Sequence, residues 1–323
     1  MQPRRIPLIQ APTPMHRLGR LSEQLGVDLW IKRDDLTGFA LGGNKGRKLE
    51  YLLADIIDSG ADIVVTCGSL QSNFIRQLTA ACKVAGVRCA AAVMACPYEF
   101  EKPCVPPMKA AGGNELLDRL LGLEMLVLPD GFWDDLIEEA EHLACRYEKE
   151  GLKVYRMPIG GSSPLGAFAF LQAAEEIKKQ AATPFDAIVF ASSSGSTHTG
   201  LAQGFRDTST RILGIACDPE PQIADDFAKL SVGLEQMGLG MAMQGSDYDL
   251  DKRFIGPGYG VPSEGSLKAI ERLAQAEGIF LDPVYSGKAF DGLLHMVDSG
   301  ELKGRILFWH TGGLPALFAM PDA

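Results

Sequence analysis

The 323-residue sequence has no apolar run approaching the ~20 residues of a membrane-crossing helix. Its opening, MQPRRIPLIQAPTPM, carries two arginines, but the apolar part is short and broken by Pro7, Pro12 and Pro14, which makes a poor secretion signal. Cytoplasmic residence is the resulting expectation, with no membrane partner. The seven cysteines are odd in number and scattered, without a CxxC pair, so neither a disulfide framework nor a zinc site is indicated. Cys67 and Cys217 lie inside apolar, strand-like runs and read as core packing. The five histidines are isolated, HxxxH and HExxH are absent, and no metal is expected. There is no Lys/Arg stripe, and the formal charge of −10 disfavours a nucleic-acid partner while leaving room for one locally positive pocket. Internal repeats and low-complexity segments are absent too. No convincing GxGxxG follows a strand, and the glycines of GGNKG are not a Walker A loop because Asn44 separates them from Lys45.

What remains is an ordinary globular composition, 46% apolar and 22% charged, in a chain long enough for two domains. Short β-rich runs at 28–32, 62–67, 87–94, 124–128, 153–158, 187–191, 211–217 and 305–309 alternate with helical patterns at 45–59, 73–85, 133–149, 166–180 and 263–277. Such alternation predicts an α/β protein with open, mostly parallel twisted sheets covered by helices, and two sheets suit the length better than one. The stretch 96–113, with four prolines and a closing Gly-Gly, is neither helix interior nor central strand. It reads equally as a linker or as a lid.

Ligands of open α/β sheets sit where strands end and helices begin, and helix N-termini there favour anions. Three glycine-rich punctuations qualify. In VFASSSGSTHTGLAQGF (189–205) an apolar strand runs into Ser192–Thr197 and then a helix. This is either a serine-rich capped turn or a phosphate cradle, and the density of small donors favours the cradle. VTCGSLQSNFIRQ (65–77) repeats the pattern with Ser72 and Asn73, which are N-caps or holders of a carboxylate or cofactor oxygen. GFALGGNKGRKLEY (38–51) sets Lys45 beside two glycines, where it is a phosphate grip, a covalent partner for a carbonyl or a surface charge. A phosphate cradle distant from the lysine suggests one cofactor spanning both.

IKRDDLTG (31–38), GGNKGRKLEYL (42–52), GSLQSN (68–73), GPGYGVP (256–262), DPVYSGKA (282–289) and HTGGLPALF (310–318), in this order over essentially the whole chain, resemble the D-cysteine desulfhydrase / 1-aminocyclopropane-1-carboxylate deaminase family. The resemblance implies the fold type II, tryptophan synthase β-like architecture of pyridoxal 5′-phosphate enzymes. It implies a larger cofactor domain from 1–47 and 159–323, a smaller mobile domain from 48–158, and a homodimer. Lys45 matches the lysine that binds the cofactor's carbonyl and later takes the substrate's Cα proton. Ser194, Gly195, Ser196 and Thr197 match the phosphate loop, and Asn73 the residue at the ring hydroxyl. Ser72 matches a substrate-carboxylate contact, while Tyr259 and Tyr285 match tyrosines near substrate and ring that move protons. The implied reaction is elimination of a β leaving group from a small amino acid, giving a 2-oxo acid and ammonia.

Two positions bear on the branch. Ring-opening deaminases have glutamate after the DPVY tyrosine and leucine before the GGxPAL glycines; here stand Ser286 and Thr311, as in the desulfhydrase branch, with Thr311 at the pyridine nitrogen. Phe74 departs from the histidine or glutamine usual after QSN and places an apolar ring near the substrate carboxylate, and SSSGST is nearer the deaminase loop. The favoured reading is β-elimination from D-cysteine or a related sulfur compound. The runner-up is cyclopropane deamination, with cysteate sulfo-lyase, racemase and a catalytically silent metabolite-binding protein behind it.

Overall fold

The computed structural model describes residues 2–105 and 107–321. In chain order the elements are β1 (Met15–Arg17), α1 (Gly19–Leu25), β2 (Asp28–Arg33), α2 (Lys45–Ser59), β3 (Ile63–Ser69), α3 (Asn73–Ala85), β4 (Arg88–Met94), α4 (Gly113–Leu120), β5 (Glu124–Val127) and α5 (Trp133–Lys149). There follow β6 (Val154–Arg156), α6 (Pro164–Gln180), β7 (Ala187–Ser192), α7 (Ser196–Phe205), β8 (Arg211–Ala216), α8 (Ile223–Gln236), β9 (Asp249–Asp251), α9 (Glu264–Glu277), α10 (Ser286–Asp298) and β10 (Arg305–His310). Every segment expected as strand or helix is one; the helices at 45–59, 73–85 and 133–149 have the expected ends, and the others are shifted at one or both ends. The unforeseen elements are β1, α1, α4, α8, β9 and α10.

The strands form a six-stranded sheet, ordered β1-β2-β10-β7-β8-β9, and a four-stranded sheet, ordered β5-β4-β3-β6. All pairings are parallel except the edge pair β1–β2. Because side chains alternate across a strand, β7 feeds two cores. Ala187 and Val189 pack with α1, α9 and α10, whereas Ile188 and Phe190 pack with α6 and α7. The smaller sheet is likewise covered twice. Val64, Ala91 and Val93 lie under α2 and α3, and Ile63, Val65 and Ala90 under α5. Burial on both faces explains why these strands read as continuous apolar runs. Residues 96–112 contain no helix or strand among the described positions.

Among the described residues no helix is long and apolar enough to cross a membrane, and no group of three or more His, Cys, Asp or Glu is placed to hold a metal ion.

Candidate active site

Lys45 opens α2 at the end of a loop whose shape depends on glycine. Gly42 (φ 74°) and Gly43 (φ 120°) occupy left-handed conformations. A Cβ on Gly42 would lie 1.9 Å from the Asp35 carbonyl oxygen, and one on Gly43 2.6 Å from the Gln77 amide nitrogen. The loop is clamped from both sides: Gly43 and Asn44 donate their N–H groups to the Asp34 and Thr311 carbonyls, while Arg76 and Gln77 donate to the Gly42 carbonyl. The amine of Lys45 thus emerges at a fixed point between the two sheets. It has no hydrogen-bond partner among the described residues. It keeps some accessible surface because it lines the cleft, yet burial in the surrounding protein lowers its pKa to about 8.

Two adjoining cavities meet at Lys45, Ser193, Ser194 and Tyr285. The smaller, of about 30 Å³, is bounded by Asn44, Asn73, Gln77, Gly195, Thr197 and Thr311. Here β7 ends and α7 begins. No side chain caps α7, and Gly195 at its start has φ 102°, with room for a Cβ taken by the Phe227 ring at 2.5 Å. The first-turn N–H groups and the positive end of the helix dipole therefore face a cavity walled by small donors. Asn44 donates to the Thr197 hydroxyl at 3.2 Å, and buried Gln77 Oε1 lacks a hydrogen-bond partner among the described residues. An uncapped helix start and a free amine of lowered pKa fit the phosphate and carbonyl ends of the cofactor that the family resemblance implies, while the unsatisfied amide oxygen, an acceptor, fits a hydroxyl donor.

The larger cavity, of about 680 Å³, lies at the C-terminal ends of β3, β6, β7 and β8. That is where open α/β sheets bind ligands. Ser72 and Phe74 line one side, Tyr259 and Tyr285 another. The two phenols are hydrogen-bonded at 2.5 Å, so one donates to the other. Burial, and for Tyr285 also the neighbouring phenol, raises both pKa values above the ordinary range, which keeps both protonated at neutral pH. Tyr285 is aimed by Asp282, whose carboxylate accepts the N–H groups of Val284, Tyr285 and Ser286 at 2.8–3.0 Å. Trp133 packs edge-on against Tyr259 at 5.3 Å.

The remaining expected residues divide. Asn73 borders the small cavity while its Oδ1 accepts from Arg76 and Asn114. Ser72 borders the large cavity and caps α3 by accepting the Ile75 N–H. Thr311 borders the small cavity, and its hydroxyl has no hydrogen bond among the described residues. In two expected residues the hydroxyl is engaged by the protein itself. Ser286 borders neither cavity; fully buried, it donates to Asp282 Oδ1 at 2.5 Å because the Asp282 turn consumes it. The Ser196 hydroxyl meets that of Ser162 at 3.1 Å, which leaves its backbone N–H, in the first turn of α7, as the group offered to the cradle. Phe74 is chiefly a packing residue: 2% exposed, it belongs to the core beneath α2 and α3, and a Cβ on Gly161 would come within 2.5 Å of its ring. Only part of it reaches the cavity.

Sequence reasoning overlooked Asn44, Gln77, Asp218 and Glu220, all cavity-lining. Gln77 follows Asn73 by one helical turn, so shared facing was a usable signal. Asp218 and Glu220 follow the end of β8, another readable position.

Residues 6–312 match the family model described as pyridoxal-phosphate dependent enzyme. The D-cysteine desulfhydrase of Yersinia enterocolitica is 40% identical over 326 residues, spanning 98% of this chain and 95% of that one. That of Klebsiella pneumoniae is 39% identical over 322 residues with the same coverage. Among solved structures, an ACC deaminase homologue superimposes with a TM-score of 0.88 at 36% identity, covering 98% of this chain and 94% of the other. Threonine deaminase isoform 2 of Solanum lycopersicum, at TM-score 0.63 and 17% identity over 97% of this chain and 81% of that one, shares the fold.

Proposed function

The chain belongs to the family of pyridoxal-phosphate dependent enzymes, and from that premise we propose that it eliminates a β leaving group from a small amino acid, D-cysteine first, to release a 2-oxo acid, ammonia and hydrogen sulfide. The observation that carries this reading is the unpartnered Lys45 amine, with its pKa near 8, at the junction of a phosphate-sized cradle and a substrate-sized cavity.

Ser194, Gly195, Thr197 and the start of α7 would hold the cofactor's phosphate, Asn73 its ring hydroxyl, Thr311 its ring nitrogen, and Lys45 its carbonyl carbon. When bound, pyridoxal phosphate supplies an electron sink for negative charge at the substrate's Cα. The chain's own groups do the rest. Ser72 receives the substrate carboxylate. Lys45, as a neutral amine, would take the Cα proton, for which a pKa of about 8 suits the working pH. Tyr285, at the junction of both cavities, passes a proton to the departing sulfur and is resupplied by Tyr259 at 2.5 Å. Thr311, offering a hydroxyl where a carboxylate would hold a proton on the ring nitrogen, would suit loss of a good leaving group. Closure of 48–158 over the cleft would exclude water.

We extend the proposal to a cytoplasmic homodimer. Its support is an inverted helix: α4 buries Asn114, Glu115 and Asp118 while leaving Leu116 and Leu120 exposed, beside the exposed ring of Phe318.

The test is 2-oxo acid release from D- and L-cysteine, β-chloro-D-alanine, D- and L-serine, L-cysteate and the cyclopropane amino acid. Pyruvate mainly from D-cysteine is expected. Product mainly from the cyclopropane substrate would instead assign the deaminase reaction. In the same assay Tyr285→Phe is expected to lower turnover by about 10²-fold, the usual scale for losing a positioned acid. Tyr259→Phe, one hydrogen bond further away, is expected to cost less; the reverse order would transfer the acid role to Tyr259.

A further inference from the structure

The large cavity has an acidic wall that elimination of hydrogen sulfide does not use. Glu99 comes from the proline-rich segment, Asp218 and Glu220 from the turn after β8, and Asp226 from α8, so separate parts of the chain converge on one face. They are within electrostatic reach of one another. Burial followed by the charges of Asp218 and Asp134 raises Glu99, and burial followed by contact with Asp226 and the charge of Asp218 lifts Glu220 to about 7. The cations nearby, Lys45 apart, are otherwise engaged. Lys229 pairs with Asp226, Arg156 with Glu141 and Glu148, Lys288 donates to the Gly258 carbonyl, and Lys252 donates to the carbonyls of Glu220 and Pro221. Glu99, Asp218 and Glu220 have no ion-pair partner among the described residues.

Asp218 is the focus. It lines the cavity at 8% exposure, and its Oδ2 accepts from Ser193 at 2.6 Å. Its Oδ1 is buried and accepts no hydrogen bond among the described residues. A buried carboxylate with one oxygen left unsatisfied is costly to ionise, although Ser193 and the charges of Lys288 and Lys252 offset part of that cost, and a cationic ligand group beside it offsets more. The cavity, at about 680 Å³, extends well beyond what a cysteine-sized substrate fills. The geometry points to a second ligand class for this cavity, α-amino acids bearing a second cationic amine beyond Cβ, held by Asp218 and Glu220 while the α-amine is held at Lys45. This inference rests on the amino-acid-binding part of the proposed function.

The test uses ligands that lack a β leaving group, so that binding is read without turnover. The cofactor-loaded protein is titrated with the D and L forms of ornithine and 2,4-diaminobutyrate. Norleucine and norvaline serve as the neutral analogues of the same lengths, and binding is followed by the absorption of the bound cofactor. At least one diamino acid is expected to bind about tenfold or more tightly than its neutral analogue, the scale of one charge-assisted hydrogen bond. The advantage should shrink as salt is raised. Glu220→Gln and Asp218→Asn are each expected to bring the affinity ratio toward unity; as a ratio, it cancels any general weakening of the site. Equal or weaker binding of every diamino acid, or a ratio untouched in both variants, overturns the inference. Cysteine-dependent 2-oxo acid release, measured alongside, reports separately on the elimination reading.

Discussion

Lys45→Ala is expected to reduce 2-oxo acid release by at least about 10³-fold, because it removes in one step the covalent anchor and the general base, and base catalysis alone is worth roughly 10²–10⁴. The fold should survive. The Lys45 amine has no hydrogen bond or ion pair among the described residues, so its removal strands no partner. Deleting an amine whose pKa burial has lowered to about 8 relieves a desolvation cost. An unchanged or higher melting temperature together with lost activity is therefore the signature of a catalytic role. Borohydride reduction of the loaded protein, followed by peptide mass analysis, gives an independent readout. The wild type should carry the added mass on the peptide containing Lys45, and the variant should carry none. Activity within tenfold of the wild type, or modification at another lysine, would remove Lys45 from its proposed role.

The parts of this molecule legible in the sequence are those where one physical requirement dominates. Strands such as β7, buried on both faces, announce themselves as apolar runs, and Gly-Gly-Asn-Lys announces a loop that tolerates no side chain. Legibility fails where two requirements compete. Helix α4 went unnoticed because its inward face is polar: Asn114 donates to Asn73 Oδ1 and the Gln71 carbonyl, so the leucines point outward and periodicity misleads. Ser286 has the residue type of a cofactor contact but is consumed by the turn that Asp282 organises. Phe74 suggested altered substrate chemistry from its place in the motif, whereas its burial ties it first to packing against Gly161. For α4 and Phe74 the deciding contact comes from residues distant in the chain, and for Ser286 from a turn four residues upstream. The acidic wall is similar, since none of its members is unusual alone and only the fold makes them neighbours.

Two residues beyond Lys45, Arg47→Ala is expected to cost about 3–5 kcal/mol of stability, the range for breaking one partner out of a buried ion network. Arg47 is 5% exposed and ties three parts of the chain together. It donates two hydrogen bonds of 2.7 Å to Asp34 after β2, reaches Glu176 on α6 at 2.9 Å, meets the Thr13 hydroxyl at 3.0 Å, and lies over the Trp309 ring. The substitution leaves Asp34, which is fully buried, without its cation; Glu176 keeps only Lys32. The pH dependence separates this electrostatic loss from mere lost packing. Burial alone would raise the Glu176 pKa, but hydrogen bonds and charge from Arg47, then Lys32, hold it down at about 2 against an ordinary 4.5. Because the folded-state value is depressed, the stabilisation is complete above about pH 4.5 and fades as pH falls toward 2. The gap in denaturation midpoint between wild type and Arg47→Ala should therefore be widest near neutrality and narrow in acid. A gap independent of pH would mean that the guanidinium acts through shape alone. Since Asp34 also receives the Gly43 N–H through its carbonyl, loosening this network should reach the Lys45 loop. The variant is thus expected to bind cofactor more weakly even at temperatures where it remains folded.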